Sequence, residues 1–389
     1  MLLRVIGWVP IAHTGGFEKH LHALCTELRK SIDVRVVVAR DDMKVVEETL
    51  AGATASRMAT PLSLLAAPRR APASLKISGA GAQLVHIHLP NPAAVLSYLA
   101  SGYQGRFVVT YHSDTVRERF LGYMFEPLLH VTLRRCSAII ATSMEYVRTS
   151  PILADYLDRC HVIPYGIDLE RFSQCEIAAV AGIREQHGER LILSGGHLVH
   201  YKGFEVLIRS MKHVRGKLLI AGDGPLRAQL AQITAKLNLQ HKVCFLGELR
   251  NEQVASYYHA CDVFALAALT RTEAFGIAQV KAMAAGKPVV NTRLDSGVPF
   301  VSLDGITGIT VPPADPDALA VALNMLLDNP SLRQAYGDAG RQRAQQQFSA
   351  EIMAARTLAL YQRVMSQPPG APLPAECEFT PEKPEVYVS

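Results

Sequence analysis

The sequence predicts an α/β protein made of two doubly wound domains, each with a mainly parallel sheet. Short β-rich runs alternate along the chain with amphipathic stretches long enough to form helices, a pattern typical of successive βαβ units. The length of 389 residues corresponds to two domains of ordinary size. Hydrophobic residues make up 49% of the chain and charged residues 19%, which provides enough apolar side chains for two cores.

Each predicted strand is a short run of β-branched and other apolar residues that ends at a turn, a glycine or a polar residue. In the first half these runs cover residues 2–9, 34–39, 84–87, 107–111, 138–141 and 161–164. In the second half they cover residues 191–194, 217–221, 243–246, 263–266, 288–291 and 308–311. The longer amphipathic stretches between the runs are predicted helices, so that strand and helix alternate in both halves.

The predicted boundary between the domains lies near residues 164–175, where Gly166 and the polar segment DLERFS interrupt the alternation. We therefore expect an N-terminal domain over residues 1–170 and a second domain over residues 171–348. Residues 349–366 are predicted to form a helix that returns to the N-terminal domain. The Pro- and Glu-rich residues 367–389 are predicted to be a disordered tail.

The composition excludes several classes of protein. A net charge of +5 is too small for a nucleic-acid-binding protein, although it suits a phosphorylated ligand or an anionic lipid surface. No apolar stretch approaches the roughly 18 residues of a membrane-spanning helix, and the N-terminus lacks the pattern of a secretory signal. The seven cysteines are scattered singly without a CxxC pair, which disfavours disulfides and zinc and predicts a cytoplasmic protein.

Glycines and polar residues fall on loops that follow predicted strands. Gly15 and Gly16 follow the first strand, His112 follows the fourth, a basic segment at 197–202 follows the seventh, and an acidic segment at 273–276 follows the tenth. In open α/β sheets, ligands bind outside the carboxyl ends of the strands. Two facing domains would gather these loops into one cleft between them.

Each of these residues also has a purely structural interpretation. Gly15 and Gly16 suit either backbone contact with a phosphate or an ordinary strand-to-helix turn. His112 is either a catalytic candidate or a buried structural histidine. The segment 197–202 places cationic groups before a helix, where they bind phosphate or remain solvated, and Glu273 at a helix start suits a sugar hydroxyl beside a phosphate.

Two common nucleotide-binding motifs are absent from the sequence. The segment GDGPLR has Arg227 where the dinucleotide fingerprint requires glycine. No segment matches GxxxxGK[ST]. A dinucleotide-dependent dehydrogenase and P-loop chemistry are therefore excluded.

Eight segments taken together resemble the retaining glycosyltransferases of family 4, whose members have two facing Rossmann-like domains in the GT-B arrangement. The segments are GG-x-E near the start, TYHSD, VIPYGIDLERF, GGHLVHYKGFEVLI, LLIAGDGPL, YYHACDVFAL, RTEAFGIAQVKAMAAGKPVV and DGITGITVPPADPDALA. They cover nearly the whole chain up to about residue 365. TYHSD with IPYGID and RTEAFGI is most similar to bacterial transferases that move mannose or a 6-deoxyhexose during surface-polysaccharide assembly.

The resemblance implies transfer of a hexose from a nucleotide-sugar to a glycan or lipid-linked acceptor, with retention of configuration and without a metal or other cofactor. Glu273 is then expected to bind hydroxyls of the donor sugar, and His112 to contact that sugar from the opposite domain. Lys202 is expected to contact the diphosphate, while Phe275 and Gly276 present backbone amides. Because no carboxylate stands out as a nucleophile, we expect a same-face displacement assisted by the leaving phosphate.

The expected donor site also includes Gly15, Gly16, His197 and Lys281, and two of these residues depart from the family pattern. The family usually has arginine at the position of His197 and a second glutamate at the position of Lys281. Lys281 is predicted to compensate for the cation that is lost with the arginine. The alternative is that Lys281 points into solvent from its helix and the donor site is merely weakened. A second interpretation stays open, in which the chain is a donor-impaired homologue that serves as a structural or regulatory partner of another transferase. A nucleotide-sugar epimerase is disfavoured, because RTEAFGI beside KPVV resembles the transferases.

Residues 116–135 have arginines at both ends of an apolar middle, which suits a helix lying on an anionic membrane surface. Pro127 interrupts this stretch, and packing against the first sheet is the alternative interpretation. Arg69 and Arg70 suit either lipid contact or a plain loop. The expected location is the cytoplasm, either free or peripheral on the inner face of the membrane, with no nucleic-acid partner.

Overall fold

The computed structural model describes residues 2–7, 16–40, 46–50, 53–59, 82–114 and 119–375. The N-terminal half of these residues forms an eight-stranded sheet. Its strands are β1 Leu2–Gly7, β2 Asp33–Arg40, β3 Val46–Leu50, β4 Ala53–Ala59, β5 Leu84–Leu89, β6 Arg106–Tyr111, β7 Ala138–Ala141 and β8 Cys160–Val162. The order in space is β3-β4-β2-β1-β5-β6-β7-β8, and only β3 and β4 pair antiparallel.

The second half forms a six-stranded sheet in which all neighbours are parallel. Its strands are β9 Leu191–Gly195, β10 Lys217–Ala221, β11 Val243–Gly247, β12 Val263–Leu266, β13 Val289–Thr292 and β14 Gly308–Val311. In the order β11-β10-β9-β12-β13-β14, successive strands are added on one side of β9 and then on its other side, as in other doubly wound sheets. The predicted fold class, two doubly wound parallel-sheet domains, is confirmed.

Helices connect the strands and cover both faces of each sheet. They are α1 Gly16–Leu28, α2 Pro92–Ser101, α3 Arg119–Arg135, α4 Met144–Thr149, α5 Glu170–Ser173, α6 Ile177–His187, α7 Phe204–Ser210, α8 Arg227–Lys236, α9 Asn251–Ala260, α10 Ile277–Ala284, α11 Val298–Val301, α12 Pro316–Asp328, α13 Pro330–Gln347 and α14 Ala350–Ser366. Side-chain N-caps begin several of them and satisfy backbone amides that the first turn leaves without partners. The capping residues are Asn91, Ser143, Asp315, Asn329 and Ser349.

Buried side chains alternate between the two faces of each sheet. In β6, Val108 packs with α1 and α14 on one face, while Phe107 and Val109 pack with α2 and α3 on the other. This alternation follows from the two-residue period of a strand, and it is why the predicted strands read as continuous apolar runs. β6 ends at Tyr111, and the polar residues His112, Ser113 and Asp114 follow it.

The chain crosses between the domains twice, at two adjacent points. The Ile167 amide donates to the Phe348 carbonyl over 2.9 Å, and the Ala350 amide donates to the Ile167 carbonyl over 3.0 Å. From there α14 returns to the N-terminal domain, where Leu360 and Val364 pack in one cluster with residues of α1. These hydrogen bonds hold the two crossings side by side.

The expectation that residue 367 begins a disordered tail is wrong for the residues that the structure describes. Leu373 is only 4% exposed, and its amide donates to the Ser137 carbonyl over 2.7 Å. The Ala375 amide donates to the Asp158 carbonyl over 2.7 Å. The buried leucine and these two hydrogen bonds hold the proline-rich segment on the N-terminal domain. Residues 376–389 lie outside the described residues.

Helix α3 packs against the N-terminal domain through Leu129 and Leu133, which are buried in the same cluster as β5 and β6. Arg134 and Arg135 at its end are exposed. Residues 116–118, Arg69 and Arg70 lie outside the described residues. Among the helices of the described part of the chain, none is long and apolar enough to cross a bilayer.

Candidate functional site

The carboxyl edges of the two sheets meet, and the loops at these edges carry the residues predicted from the sequence. His112 follows β6, Lys202 lies in a 3₁₀ turn after β9, and Glu273 lies between β12 and α10. The loops contact each other across the boundary, where the ring centroid of Tyr165 lies 5.0 Å from that of Phe275. The predicted residues of both domains therefore border one cleft.

His112 is a buried histidine with both ring nitrogens engaged. It is 8% exposed, its Nε2 lies 2.9 Å from Nδ1 of His88, and its Nδ1 forms a hydrogen bond with the Tyr165 hydroxyl. Burial lowers the pKa of His112 well below its usual value, and the neighbouring His20 and His86 lower it further. His112 is therefore a neutral ring near pH 7, able to donate from one nitrogen and accept at the other.

Three further buried histidines support His112. His86 stacks on His88 with ring centroids 4.4 Å apart, and its Nδ1 lies 2.6 Å from the Tyr361 hydroxyl of α14. Burial lowers the pKa of both His20 and His86 to about 3, so these rings are also neutral. Among the described residues, neither ring nitrogen of His20 has a hydrogen-bond partner.

Ring nitrogens of His20, His88 and His112 lie within 4.8 Å of one another, and such a group could hold a metal ion. Nitrogens that share a tetrahedral zinc ion lie about 3.3 Å apart, since each bond to zinc is about 2.0 Å long. His88 and His112 use their facing nitrogens in a hydrogen bond to one another. A metal would have to replace that bond, and we interpret the cluster as a neutral scaffold for His112.

Lys202 and Glu273 form a buried ion pair between Nζ and Oε2. Their side chains are 15% and 9% exposed, so both charges are largely removed from water. Burial lowers the pKa of Lys202, but attraction to the Glu273 carboxylate and to Tyr201 outweighs burial, and the pKa is raised. Lys202 is therefore a permanent cation inside the cleft, with a carboxylate beside it.

The loop after β9 brings Lys202 and His197 to the same strand end. A Cβ added to Gly196 would lie 3.7 Å from Nζ of Lys202, so the lysine lies along the glycine backbone. Gly222 has φ +120°, and a Cβ there would overlap the carbonyl oxygen of Gly196. His197 is exposed, and its Nδ1 lies 2.9 Å from the Asp223 carbonyl oxygen, to which it donates. Close backbone packing next to two basic side chains is a suitable cradle for phosphate.

Phe275 and Gly276 form the turn into α10. Phe275 is 2% exposed and its ring is part of the core, so only its backbone is available to a ligand. Among the described residues, the amides of Phe275 and Gly276 donate to no other protein group. Gly276 has φ +77°, which favours glycine at this position. Lys281 in the last turn of α10 has its Nζ 5.7 Å from the ring centroid of Phe172 and is partly buried.

Of the remaining predicted residues, Gly16 is the first residue of α1, and Gly15 lies outside the described residues. The structure also brings three residues to the site that were not singled out from the sequence. Tyr165 contacts both His112 and Phe275, and Arg271 forms an ion pair with Asp114. Tyr165 lies in the segment VIPYGIDLERF, Arg271 in RTEAFGIAQVKAMAAGKPVV and Asp114 in TYHSD. In the sequence, only their position in segments that resemble the family indicated that they belong to the site.

Comparison with known proteins extends over most of the chain. Residues 14–171 match the model of Glycosyltransferase Family 4, and residues 179–343 match that of Glycosyl transferases group 1. The D-rhamnosyltransferase WbpZ of Pseudomonas aeruginosa is 31% identical over 70% of this chain and 71% of its own length. The O-antigen chain mannosyltransferase C of Escherichia coli is 31% identical over 72% of this chain and 74% of its own. HepE of Anabaena in complex with UDP has the same fold, with a TM-score of 0.76, 18% identity, and coverage of 93% of this chain and 100% of that one.

Proposed function

The chain belongs to glycosyltransferase family 4, and we propose that it transfers a hexose from a nucleotide-sugar to a glycan or lipid-linked acceptor with retention of configuration. Mannose or a 6-deoxyhexose is the sugar we favour, because the two relatives are named as a mannosyl- and a rhamnosyltransferase. A growing surface polysaccharide is the acceptor we favour, since one relative is named for the O-antigen chain.

The buried pair of Lys202 and Glu273 is the observation that carries this proposal. Transfer from a nucleotide-sugar makes the diphosphate a leaving group, and negative charge grows on it as the sugar departs. A cation already fixed in a desolvated cleft stabilises that charge without reorganising. In the proposed complex, Lys202 turns to the diphosphate, and Glu273 accepts hydrogen bonds from hydroxyls of the donor sugar.

Backbone groups complete the proposed donor site. The amides of Phe275 and Gly276 lie at the start of α10, where the helix dipole also favours negative charge. The glycine-rich loop after β9 allows a phosphate to approach the backbone closely. Fixed donors of this kind suit an anionic diphosphate better than a neutral ligand.

His112 is proposed to contact the sugar from the N-terminal domain. Its neutral ring suits a hydroxyl, which both donates and accepts hydrogen bonds. Because both ring nitrogens already have partners, the sugar hydroxyl would exchange with His88 or Tyr165 rather than add to them. His112 would therefore bind the sugar without adding charge near the leaving diphosphate.

A same-face displacement is the reaction that we propose. The bond from the sugar to the phosphate breaks, the acceptor oxygen bonds to the same face of the sugar, and the leaving phosphate oxygen takes the acceptor's proton. In the proposed complex Glu273 accepts hydrogen bonds from hydroxyls of the donor sugar, so we do not propose it as a nucleophile. Lys202 and the backbone amides would supply the positive potential, so the proposed reaction needs no divalent ion.

A thermal-shift screen of nucleoside diphosphates and their sugars tests the donor, since a ligand that binds only the folded state raises its stability. Transfer is then assayed with the stabilising donor, with and without a chelator, and the anomeric configuration of the product is read by NMR. An inverted product would contradict retention, and loss of activity with the chelator would contradict the metal-free reaction. If no nucleotide-sugar stabilises the protein, the donor-impaired homologue becomes the better interpretation.

A lipid-linked acceptor would place the reaction at the inner face of the membrane. The exposed Arg134 and Arg135 at the end of α3 suit contact with anionic lipid. We therefore propose that the protein acts in the cytoplasm with reversible contact to this surface. Sedimentation with anionic liposomes tests that contact.

A further inference from the structure

Arg271 joins the two domains across the cleft. Its Nη2 lies 3.1 Å from Oδ2 of Asp114, and its guanidinium carbon lies 4.7 Å from the ring centroid of Tyr146. It also donates to the backbone carbonyls of Thr149 and Tyr146 in the last turn of α4. The Arg271 side chain is 26% exposed and that of Asp114 is 15% exposed, so the contact is largely shielded from water.

Asp114 is held in place by its own domain. Its Oδ1 accepts from the Tyr111 hydroxyl over 3.0 Å and from the Ser150 hydroxyl over 2.7 Å. Its backbone amide donates to the Tyr146 hydroxyl over 2.6 Å. The second carboxylate oxygen is left facing the other domain, in a fixed position. Such a carboxylate suits a planar guanidinium better than a flexible ammonium.

The loop that carries Arg271 is fixed on the other side. The Leu269 amide donates to the Tyr201 carbonyl over 2.8 Å, and the Glu273 amide donates to the Thr270 carbonyl over 3.1 Å. The pairing of Glu273 with Lys202 anchors the same loop from its other end. The contact between Arg271 and Asp114 therefore joins two rigid loops, and it determines how they lie relative to each other.

The sequence positions of the pair connect it to the proposed chemistry. Asp114 follows His112 by two residues, and Arg271 precedes Glu273 by two residues. We propose that Arg271 and Asp114 are positioning residues that hold His112 and Glu273 at their working separation across the cleft. The kinetic part of this inference rests on the proposed function, whereas its geometric part does not.

Without the pair, weaker contacts would have to hold this side of the cleft closed. The Thr149 hydroxyl donates to the Asp295 carbonyl over 2.9 Å, and a Cβ added to Gly297 would lie 3.2 Å from Oγ of Ser143. Neither contact involves a charge. Among the described residues, the Glu273 loop itself keeps only apolar contacts with the N-terminal domain, through Ala274 and through Phe275 against Tyr165. We therefore expect the cleft to open when the arginine is replaced.

The test combines kinetics with small-angle X-ray scattering on Arg271→Met and Asp114→Asn. We expect Arg271→Met to lower kcat roughly 10- to 100-fold, because a misplacement of about 1 Å between reacting groups can cost about 100-fold. The affinity for the nucleoside diphosphate should change less than about threefold, since Lys202 and the amides of Phe275 and Gly276, which we propose to bind it, lie in one domain. The radius of gyration should rise as the cleft opens, and the double variant should be little worse than either single variant.

A second pair in the same protein provides a matched control. Arg184 Nη2 lies 3.0 Å from Asp262 Oδ1, with side chains 32% and 12% exposed, and both residues belong to the C-terminal domain. Arg184→Met should lower thermal stability to a similar degree while leaving kcat and the radius of gyration unchanged. Arg271→Lys keeps the positive charge but lacks the planar guanidinium. Its kcat should therefore lie between those of Arg271→Met and the wild type.

Three results would overturn the proposal. One is a kcat for Arg271→Met within about threefold of the wild type, and another is an equal loss in Arg184→Met. The third is an unchanged radius of gyration in Arg271→Met. If wild-type protein transfers no sugar at all, the proposed function fails, and scattering alone then decides whether Arg271 holds the cleft closed.

Discussion

Replacing Glu273 by glutamine tests the charge balance of the cleft. Glu273 is 8% exposed and pairs with Lys202, whose side chain is 15% exposed. Glutamine keeps the size of the side chain but removes its charge, which leaves the buried ammonium without a counter-ion. Breaking a buried ion pair costs about 3 to 5 kcal/mol. We expect the lower end, about 3 kcal/mol of unfolding free energy, because both side chains retain some exposure.

The kinetic loss comes from a different interaction. A hydrogen bond from a sugar hydroxyl to a charged carboxylate contributes about 1.5 to 3 kcal/mol. If Glu273 makes that bond in the transition state, kcat/KM for Glu273→Gln should fall about 10- to 150-fold. Steady-state transfer assays with the donor found by thermal shift measure this loss.

The same substitution should also change the pH dependence. Attraction to Glu273 raises the pKa of Lys202 against the opposing effect of burial. In the wild type, the stability that this lysine contributes is present below its ordinary pKa of 10.5 and is lost only as pH rises through the raised value. Glutamine removes the attraction of the Glu273 carboxylate, which is larger than that of Tyr201, so the pKa of Lys202 falls. Donor binding by Glu273→Gln should therefore weaken at a lower pH than in the wild type.

Glu205→Gln is the matched control, because Glu205 forms an ion pair with Arg209 on the surface of α7 and its side chain is 41% exposed. An exposed pair contributes little, so stability should change by less than about 1 kcal/mol, with no change in turnover. Lys202→Met combined with Glu273→Gln should lose less stability than the sum of the two single changes. Turnover of Glu273→Gln within about threefold of the wild type, with an unchanged pH profile, would refute the reasoning.

Four further predictions follow from the site and its surroundings. His112→Ala should reduce turnover more than nucleotide affinity, because His112 and the proposed phosphate contacts lie in different domains. Transfer assays measure the turnover and calorimetry the affinity, and equal losses in both would contradict this prediction. Burial lowers the pKa of His20 to about 3, so below pH 6.5 the unfolded chain binds a proton at this residue that the native state does not. Acid should therefore lower the unfolding free energy of the wild type more steeply than that of His20→Gln, by up to about 1.4 kcal/mol per pH unit. Urea titrations at a series of pH values measure this difference. If His197 and Lys281 share the donor diphosphate, a cycle of His197→Arg and Lys281→Glu should show a coupling of about 0.5 to 3 kcal/mol in donor binding, and strict additivity would rule that out. Sedimentation with anionic liposomes should show binding through α3 that weakens with salt, and no binding at any salt concentration would remove the membrane contact.

The strands were predictable because parallel strands buried on both faces read as short apolar runs. The sequences VEETL in β3 and ATASRMA in β4 carry charged residues and alanines instead, and no strand was predicted at either position. The disorder expected from residue 367 was wrong for residues 367–375, since composition does not reveal that Leu373 finds a buried site. Local pattern therefore predicts strands that are continuous apolar runs, including the edge strands β8, β11 and β14, better than strands such as β3 and β4 that lack such a run.

For the candidate site, the sequence predicts which loops come together but not which side chains meet. The position of His112, Lys202 and Glu273 at strand ends was enough to place them at one edge of their sheets. The pairing of Arg271 with Asp114 joins residues that are far apart in the chain and depends on how the two domains dock. No spacing rule connects them, so the contact emerges only in the folded structure.

Burial acts on both sides of the cleft, yet it leaves them in opposite charge states. It lowers the pKa of His112, and no carboxylate among the described residues offsets it there, so the ring stays neutral. It also lowers the pKa of Lys202, but Glu273 reverses that effect and keeps the ammonium charged. A leaving diphosphate would therefore meet a cation in one domain, and the sugar an uncharged ring in the other. The pair of Arg271 and Asp114 carries no net charge, so it can join the domains without disturbing this division. A protonated His112 would attract the diphosphate away from Lys202. The burial that keeps this ring neutral, with the smaller contributions of His20 and His86, is thus as necessary to the proposed chemistry as the ion pair opposite.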